Sequence, residues 1–302
     1  MRIVYFIILF TFVCNYAKNQ GLTNSLDNIS HENLLDNPWF TVNQRGQSSY
    51  TDPGNGKYTV DRWKIYNYNT LTVSSNGVSS IELYQYFEED RVKPLLGKTV
   101  TLSILLQDGR IRYSSGQLPN AFPSVDTAYI ETNVGDNIWL YIILTSSKLL
   151  QVQIRNWSDQ VIDVRAVKLE FGSISTLAMD TAPNYQQELA KCQRYYEQNS
   201  WYSWNVKANL DGVIDVMTSY PFLVKKRVNN ITTNILKQNI GNGQLVDLTT
   251  STSIPSNEVT ISQPMAFNSR MESIKITHNS IISGHTYYFS IGDDCIAFSA
   301  DL

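Results

Sequence analysis

Beyond residue 71 the chain advances in short apolar or alternating runs, and turn-forming residues stop each run. That punctuation decides the fold class before composition is considered. A helix needs an uninterrupted stripe of period 3.6, whereas a strand needs only a few residues of period two. Residues 71–75 end at Asn76-Gly77, the strongest two-residue hairpin signal. Residues 81–87 follow, then 98–107, closed by Asp108-Gly109, then 137–146, 149–157 and 161–172. In the last run Val161, Asp163, Arg165, Val167 and Leu169 share one face, with Ile162, Val164, Ala166, Lys168 and Glu170 on the other. Neither face is cleanly apolar, which predicts a strand covered on both sides over part of its length. Roughly eight strands in about 140 residues predict a β-sandwich, of jelly-roll type.

One segment breaks the pattern. Within residues 182–198, Tyr185, Leu189, Cys192 and Tyr196 stand at i, i+4, i+7 and i+11, the stripe of an amphipathic helix. Pro183 marks its first turn, and a helix of about 13 residues is predicted. Beyond Trp201 the strand signals return at 213–218, 221–228, 230–238, 271–277 and 285–291, with a turn at 241–243 and a final run at 295–302. The expected class is therefore all-β. Residues 1–32 form an apolar leader and linker, 33–180 the jelly-roll β-sandwich, 181–200 the linking α-helix, and 201–302 a smaller C-terminal antiparallel β domain.

Arg2, the apolar run 3–13 and Ala17 read as a short secretory signal, and the run is too short to span a bilayer. The alternative is an apolar leader outside the folded unit. Cys14, Cys192 and Cys295 contain no CxxC spacing and no disulfide framework, and pairing of Cys192 with Cys295 stays open. A net charge of −3 gives no electrostatic reason to expect nucleic acid as a partner. Charged residues are only 17% of the chain, so its surface is rich in Asn, Ser, Thr and Gln, which suits sugar recognition or extracellular solubility alike.

Signals for chemistry are weak. His31, His278 and His285 form neither HxH nor HExxH, so no metal is expected, and no P-loop, GxSxG or dinucleotide fingerprint implies a cofactor or catalysis. Glu88-Glu89-Asp90 and Asp293-Asp294 could supply carboxylate pairs for glycoside hydrolysis, but both read as solvated loops. Lys225-Lys226-Arg227 reads as a solvated strand end, and the sequons at Asn28, Asn156 and Asn230 are expected by chance in such a chain. What remains is aromatic. Trp39, Trp63 and Trp139 are assigned to the core. Tyr66, Tyr68, Tyr84 and Tyr86 alternate along strands and offer a tyrosine strip on which a sugar face can stack.

Two stretches carry a resemblance. Asn33-Leu-Leu-Asp-Asn-Pro-Trp-Phe-Thr-Val-Asn-Gln-Arg-Gly46 followed by Tyr58-Thr-Val-Asp-Arg-Trp63 resembles the opening of the jelly-roll module of bacteriophage tail-fibre and head-fibre proteins. Lys168-Leu-Glu-Phe-Gly172 and the run Cys192-Gln-Arg-Tyr-Tyr196 resemble its close. A Pro-Phe near 221, Gly284-His-Thr-Tyr-Tyr-Phe289 and the closing Ser-Ala-Asp-Leu fit as well, so the likeness covers about residues 33–302. It departs at Thr176-Leu177-Ala178, where Thr-Pro-Phe is expected, at Met179-Asp180, and in the leader.

The resemblance implies a non-enzymatic virion protein, a fibre or appendage component that binds a host-surface glycan and partners other virion proteins as a homotrimer. The alternatives are a secreted bacterial carbohydrate-binding or adhesin protein, which the leader favours, a glycan-cleaving depolymerase with two carboxylates about 5–10 Å apart, and a purely structural fibre with no ligand. It makes Asn33, Leu34, Leu35, Trp39, Arg45, Asp61, Arg62, Trp63 and Glu170 architectural. Leu34, Leu35, Trp39 and Phe40 would anchor a first strand, Arg45, Asp61 and Arg62 would tie the irregular first loop down, and Trp63 would plug the core. Leu189, Cys192, Tyr195 and Tyr196 of the helix would stand near the three-fold axis, with the Tyr195-Tyr196 pair serving inter-subunit packing or, equally economically, packing within the chain alone.

Overall fold

The computed structural model describes residues 31–54, 56–198, 202–222, 226, 232–235, 243–267, 270–291 and 296–299. The leader, the sequons at Asn28 and Asn230, Asp293-Asp294, the 241–243 turn and the Cys192–Cys295 pairing lie wholly or partly outside these residues. The protein is all-β, with antiparallel sheets and, among the described residues, two short α-helices. By contacts the chain divides into two compact units: Trp39 and the described residues before it with Ser75–Ala182, and Phe40–Ser74 with Pro183–Leu302. The division differs from the sequence boundaries in assigning residues 40–74 to the same unit as the C-terminal part.

Four short strands come first in the chain: β1 (Ser49–Thr51), β2 (Lys57–Tyr58), β3 (Lys64–Ile65) and β4 (Thr70–Ser74), all in the second unit. The first unit is then built from β5 (Gly77–Ser80), β6 (Glu82–Phe87), helix α1 (Glu89–Val92), β7 (Thr99–Leu106), β8 (Ile111–Gln117), β9 (Thr127–Asn133), β10 (Ile138–Leu144), β11 (Leu150–Asn156) and β12 (Ile162–Phe171). Its strands lie in the orders β5-β12-β7-β8 and β6-β11-β10-β9, two layers of a sandwich. The β6/β11 pair nests inside the β5/β12 pair, which is the jelly-roll element of the connectivity, while β7–β8 is a hairpin and β9–β10–β11 a meander. Leu83, Phe87, Leu102, Ile104, Leu140, Ile142, Val152 and Ile154 fill the space between the layers, each at most 1% exposed. Burial of this kind supplies the main favourable term for the fold.

The mixed faces of β12 have a cause in the backbone. Its register against β7 slips between Val164 and Ala166, a β-bulge at Arg165. Before the bulge Ile162 and Val164 turn toward the core; after it Val167 and Leu169 do, opposite Ile104 and Leu102. The other face is buried too. Lys168 and Glu170 are both fully buried. Lys168 Nζ donates to Asp180 Oδ1 at 2.8 Å and to Thr176 Oγ1 at 2.9 Å, and Glu170 accepts the Thr176 N–H at 2.8 Å. His31 Nδ1 lies 3.5 Å from Glu170.

Residues 33–40 form no strand, contrary to the expectation for Leu34, Leu35, Trp39 and Phe40. A side chain does the pairing instead. Asn33 Nδ2 donates to Val167 O at 2.8 Å, its Oδ1 accepts the Leu169 N–H at 3.2 Å and the Leu35 N–H at 3.1 Å, and Leu34 N–H reaches Leu169 O at 2.8 Å. The amide thus replaces ladder bonds while the chain stays irregular. Leu35 is buried, Leu34 and Trp39 half-buried. Arg91 fixes the same segment, bonding Leu34 O at 2.6 Å and pairing with Asp36.

In the second unit β1 pairs with β4 and β2 with β3. Helix α2 (Tyr185–Gln193) opens on Asn184, whose side chain accepts the N–H groups of Gln186 and Gln187, so Pro183 precedes the cap rather than sitting inside the helix. The helix has nine residues and stops before Tyr195-Tyr196, because Tyr196 enters β13 (Tyr196–Gln198). Cys192, Tyr195 and Tyr196 are buried within the chain, which is the intra-chain packing, and Leu189 is half-buried. The rest is β14 (Tyr202–Lys207), β15 (Val213–Pro221), β16 (Thr232–Ile235), β17 (Leu245–Asp247), β18 (Thr252–Ile254), β19 (Thr260–Phe267), β20 (Arg270–Thr277), β21 (Thr286–Ile291) and β22 (Ile296–Ser299). They form three small sheets, β13-β22-β16, β14-β21-β17-β18 and β15-β20-β19, around Ile214, Leu245, Ile276, Tyr287 and Phe289.

The architectural residues of this unit meet around the two tyrosines. The Arg62 guanidinium lies 3.4 Å from the Tyr195 ring centroid, and that of Arg45 3.7 Å from the Tyr196 ring centroid. Asp61 holds Gln44 through its N–H at 2.7 Å and its Nε2 at 2.6 Å, and Gln44 Nε2 also bonds Tyr196 O at 2.8 Å. Trp63 is fully buried against Phe40, with ring centroids 5.2 Å apart.

Asp247 links two strands of this unit. Its Oδ2 is 2.7 Å from His285 Nδ1, and its Oδ1 accepts the N–H groups of Thr249 and Thr250. Burial pushes the carboxyl up, but the bonds from His285, the Thr249 N–H and Thr250 outweigh it and hold the pKa at about 2, below the ordinary 3.8. A pKa depressed by folding means stability that is complete above the unfolded value and lost as pH falls through the folded one. Asp247→Asn is expected to flatten the pH dependence of unfolding between about pH 4 and pH 2. Urea titrations at several pH values check this, and parallel slopes for the two proteins would contradict it.

Candidate functional site

The outer face of β6-β11-β10-β9, in the first unit, gathers aromatic and amide side chains on a rigid support. The register makes three rows across the four strands: Glu82, Arg155, Trp139 and Asn133; Tyr84, Gln153, Tyr141 and Glu131; Tyr86, Gln151, Ile143 and Ala128. With strands about 4.8 Å apart and same-face residues about 7 Å apart along a strand, the patch measures roughly 14 Å each way. That is enough for a short oligosaccharide.

The rows are joined by hydrogen bonds. Gln151 Nε2 donates to Gln153 Oε1 at 3.1 Å, Gln153 Nε2 to Tyr84 Oη at 3.0 Å, and Tyr84 Oη to Glu82 Oε2 at 2.7 Å. Arg155 Nη1 reaches the same Glu82 oxygen at 3.1 Å. Burial, and then the bond to Glu82, push the Tyr84 phenol far above its ordinary range, so it acts as a fixed donor at any physiological pH. Trp157 Nε1 donates to Tyr141 Oη at 2.8 Å, and the Arg155 guanidinium lies 3.9 Å from the Trp157 ring centroid. Trp139 and Tyr141 stack with 16° between their planes and centroids 6.1 Å apart.

Exposure grades across this lattice. Glu82, Tyr84, Tyr141 and Gln153 are buried beneath their neighbours. Tyr86, Trp139, Ile143, Gln151 and Arg155 are half-buried, Glu131 and Asn133 are exposed, and Trp157 is 54% exposed. A locked polar base under accessible rings and amides offers apolar faces for stacking and hydrogen-bonding groups that do not have to be ordered on binding.

The four predicted tyrosines separate. Tyr84 and Tyr86 stand on β6, in the face just described. Tyr66 and Tyr68 are not on a strand; they lie between β3 and β4 in the second unit, where Asn67 and Tyr68 have φ of 59° and 60°. The alternation there belongs to a turn. Trp139, assigned to the core from sequence, stands on the outer face, because Leu140 and Ile142 of β10 take the inward positions. Trp157, one of the six tryptophans with a flat face for stacking, stands on this side, and Gln151, Gln153 and Arg155 carry only the signal of their alternation against Val152 and Ile154. Glu89 is occupied by Lys93 at 3.1 Å and Lys148 at 3.3 Å, a solvated cluster. Among the described residues no group of three or more His, Cys, Asp or Glu is placed to hold a metal ion. No family model, curated protein or solved structure matches this chain.

Proposed function

We propose that the protein is a non-catalytic glycan-binding component of a virion appendage, and that the host-surface sugar lies on the outer face of β6-β11-β10-β9. The observation that carries the reading is the hydrogen-bonded lattice of Tyr84, Gln153, Gln151 and Glu82 beneath the accessible rings of Tyr86, Trp139 and Trp157. Support for an appendage comes from the two sequence anchors that resemble phage fibre modules. Several copies in one particle would raise apparent affinity by roughly 10²–10⁴ over a single shallow site. The virion partners and the homotrimer belong to the same proposal.

A glycan array probed with the purified full chain tests it. Trp139→Ala is expected to weaken the best hit by about tenfold or more, the loss typical of a central aromatic contact. Its melting midpoint should change little, because the ring lies outside the core. Undiminished binding by this variant would remove the face as the site. Release of reducing ends from host polysaccharide would support the depolymerase instead.

A further inference from the structure

We infer that the first unit joins two of its own side chains: Lys168 and Asp180 condense to a side-chain amide, an isopeptide bond, with Glu170 carrying the proton. The reactants already touch. Lys168 Nζ lies 2.8 Å from Asp180 Oδ1. That contact puts the carboxyl carbon about 3.5 Å from the nitrogen, close to the separation of reacting atoms before attack. Glu170 Oε2 is 3.6 Å from the same nitrogen. Thr176 Oγ1 spans the gap, accepting from Lys168 Nζ at 2.9 Å and donating to Glu170 Oε2.

Backbone holds both reactants in place. Lys168 stands in β12 opposite Ser103 of β7. The segment after β12 is pinned to the same two strands: Ser103 Oγ donates to Ser175 Oγ at 2.7 Å, and the Thr176 N–H donates to Glu170 Oε1 at 2.8 Å. The Asp180 N–H then closes a turn on Leu177 O at 3.1 Å. An amine and an acid held in this way react without the entropy of meeting. The Lys168 and Glu170 side chains are wholly buried, which keeps competing water out. The Asp180 side chain is 13% exposed, which leaves a way out for the water released. An ion pair here keeps two charges in the interior at a desolvation cost, and an amide removes both.

The step balances without a co-reactant. Nζ passes one proton to Asp180 across their hydrogen bond, which leaves a neutral amine and a neutral acid. The nitrogen lone pair attacks Cγ. A second proton moves from nitrogen through Thr176 Oγ1 to Glu170, and from there to the departing hydroxyl. A C–N bond replaces a C–O bond, and one water leaves. The product ties β12 to the end of the unit, just before the chain passes to the second unit at Pro183.

Peptide mapping of the denatured full chain tests this. Trypsin and chymotrypsin cut after Arg165, Phe171 and Tyr185, which puts Lys168 and Asp180 on separate peptides unless they are linked. The expected result is one joined species, with the summed mass of the two peptides less one water, and no cleavage after Lys168. Lys168→Arg and Asp180→Ala should each give separate peptides. Glu170→Gln keeps the shape and can still accept the Thr176 N–H. It should slow joining by about 10²-fold or more, so that freshly purified protein maps mostly as separate peptides. The inference is overturned if the wild-type peptides are separate with Lys168 cleaved, or if the joined species persists in Lys168→Arg or Asp180→Ala. Joining in Glu170→Gln to the wild-type extent would overturn the role given to Glu170.

Discussion

Replacing Lys226 by methionine is expected to lower the folding free energy by about 3–5 kcal/mol, the cost of leaving a buried carboxylate without its counter-charge. Lys226 Nζ donates to Glu197 Oε2 at 2.5 Å and to Gln193 O at 2.6 Å. Neither partner of the ion pair is more than 3% exposed. Burial pulls the ammonium pKa below its ordinary value, and the nearby Glu197 charge opposes that pull. Gln193 is the last residue of α2, so the same ammonium also satisfies a helix-end carbonyl. The double variant Lys226→Met/Glu197→Leu should recover much of the loss, since two apolar groups in place of a buried pair are often neutral. Equilibrium urea unfolding of the three proteins measures both effects. A single variant within about 1 kcal/mol of the wild type would place the pair in solvent, where such bridges contribute little.

The second large effect is expected at Arg62. Its side chain is among the largest fully buried ones, at 1% exposure, and its backbone has a φ of 72°. Arg62→Ala removes the guanidinium from the Tyr195 ring, leaves a cavity, and keeps a side chain in a left-handed conformation. A loss of about 3 kcal/mol or more is expected, which lowers the melting midpoint by roughly 6–12 °C for a protein of this size. Arg62→Lys keeps the charge but not the planar stack, and should recover only part. An unchanged melting midpoint for Arg62→Ala would reject the architectural role of the motif, and the ligand site would then have to be sought in the segment from Asn33 to Trp63.

What was legible in the sequence, and what was not, follows from the range of the signals. Turn residues act locally, so Asp108-Gly109 and the other stops bound β6, β7, β10, β11 and β12, whereas β8 and β9, mostly exposed or half-buried, carry no apolar run and went unread. Strand register is not local. The bulge at Arg165 re-phases β12, which is why its printed alternation looked mixed on both faces. Trp139 sits in a run apolar on both faces, and only pairing with β9 and β11 decides that it points outward. The helical stripe continued through Tyr196 in the sequence, yet pairing of Tyr196 with Ser299, over 100 residues away, ends the helix early. The same reason hides Lys226: its basic neighbours suggest a solvated end, and the carboxylate that buries it lies 29 positions earlier. Tyr66 and Tyr68 show the opposite error, in which period-two spacing came from a turn carrying two left-handed residues.

Indole N–H resonances give the most direct test of the claim that sugar binds on the outer sheet face. The chain has six tryptophans, assignable by single Trp→Phe replacements in a nitrogen-15 labelled sample. On addition of the glycan selected by the array, the signals of Trp139 and Trp157 are predicted to shift, and that of Trp63, fully buried in the second unit, to stay in place. Movement of Trp63 or Trp204 with Trp139 and Trp157 unchanged would contradict the account.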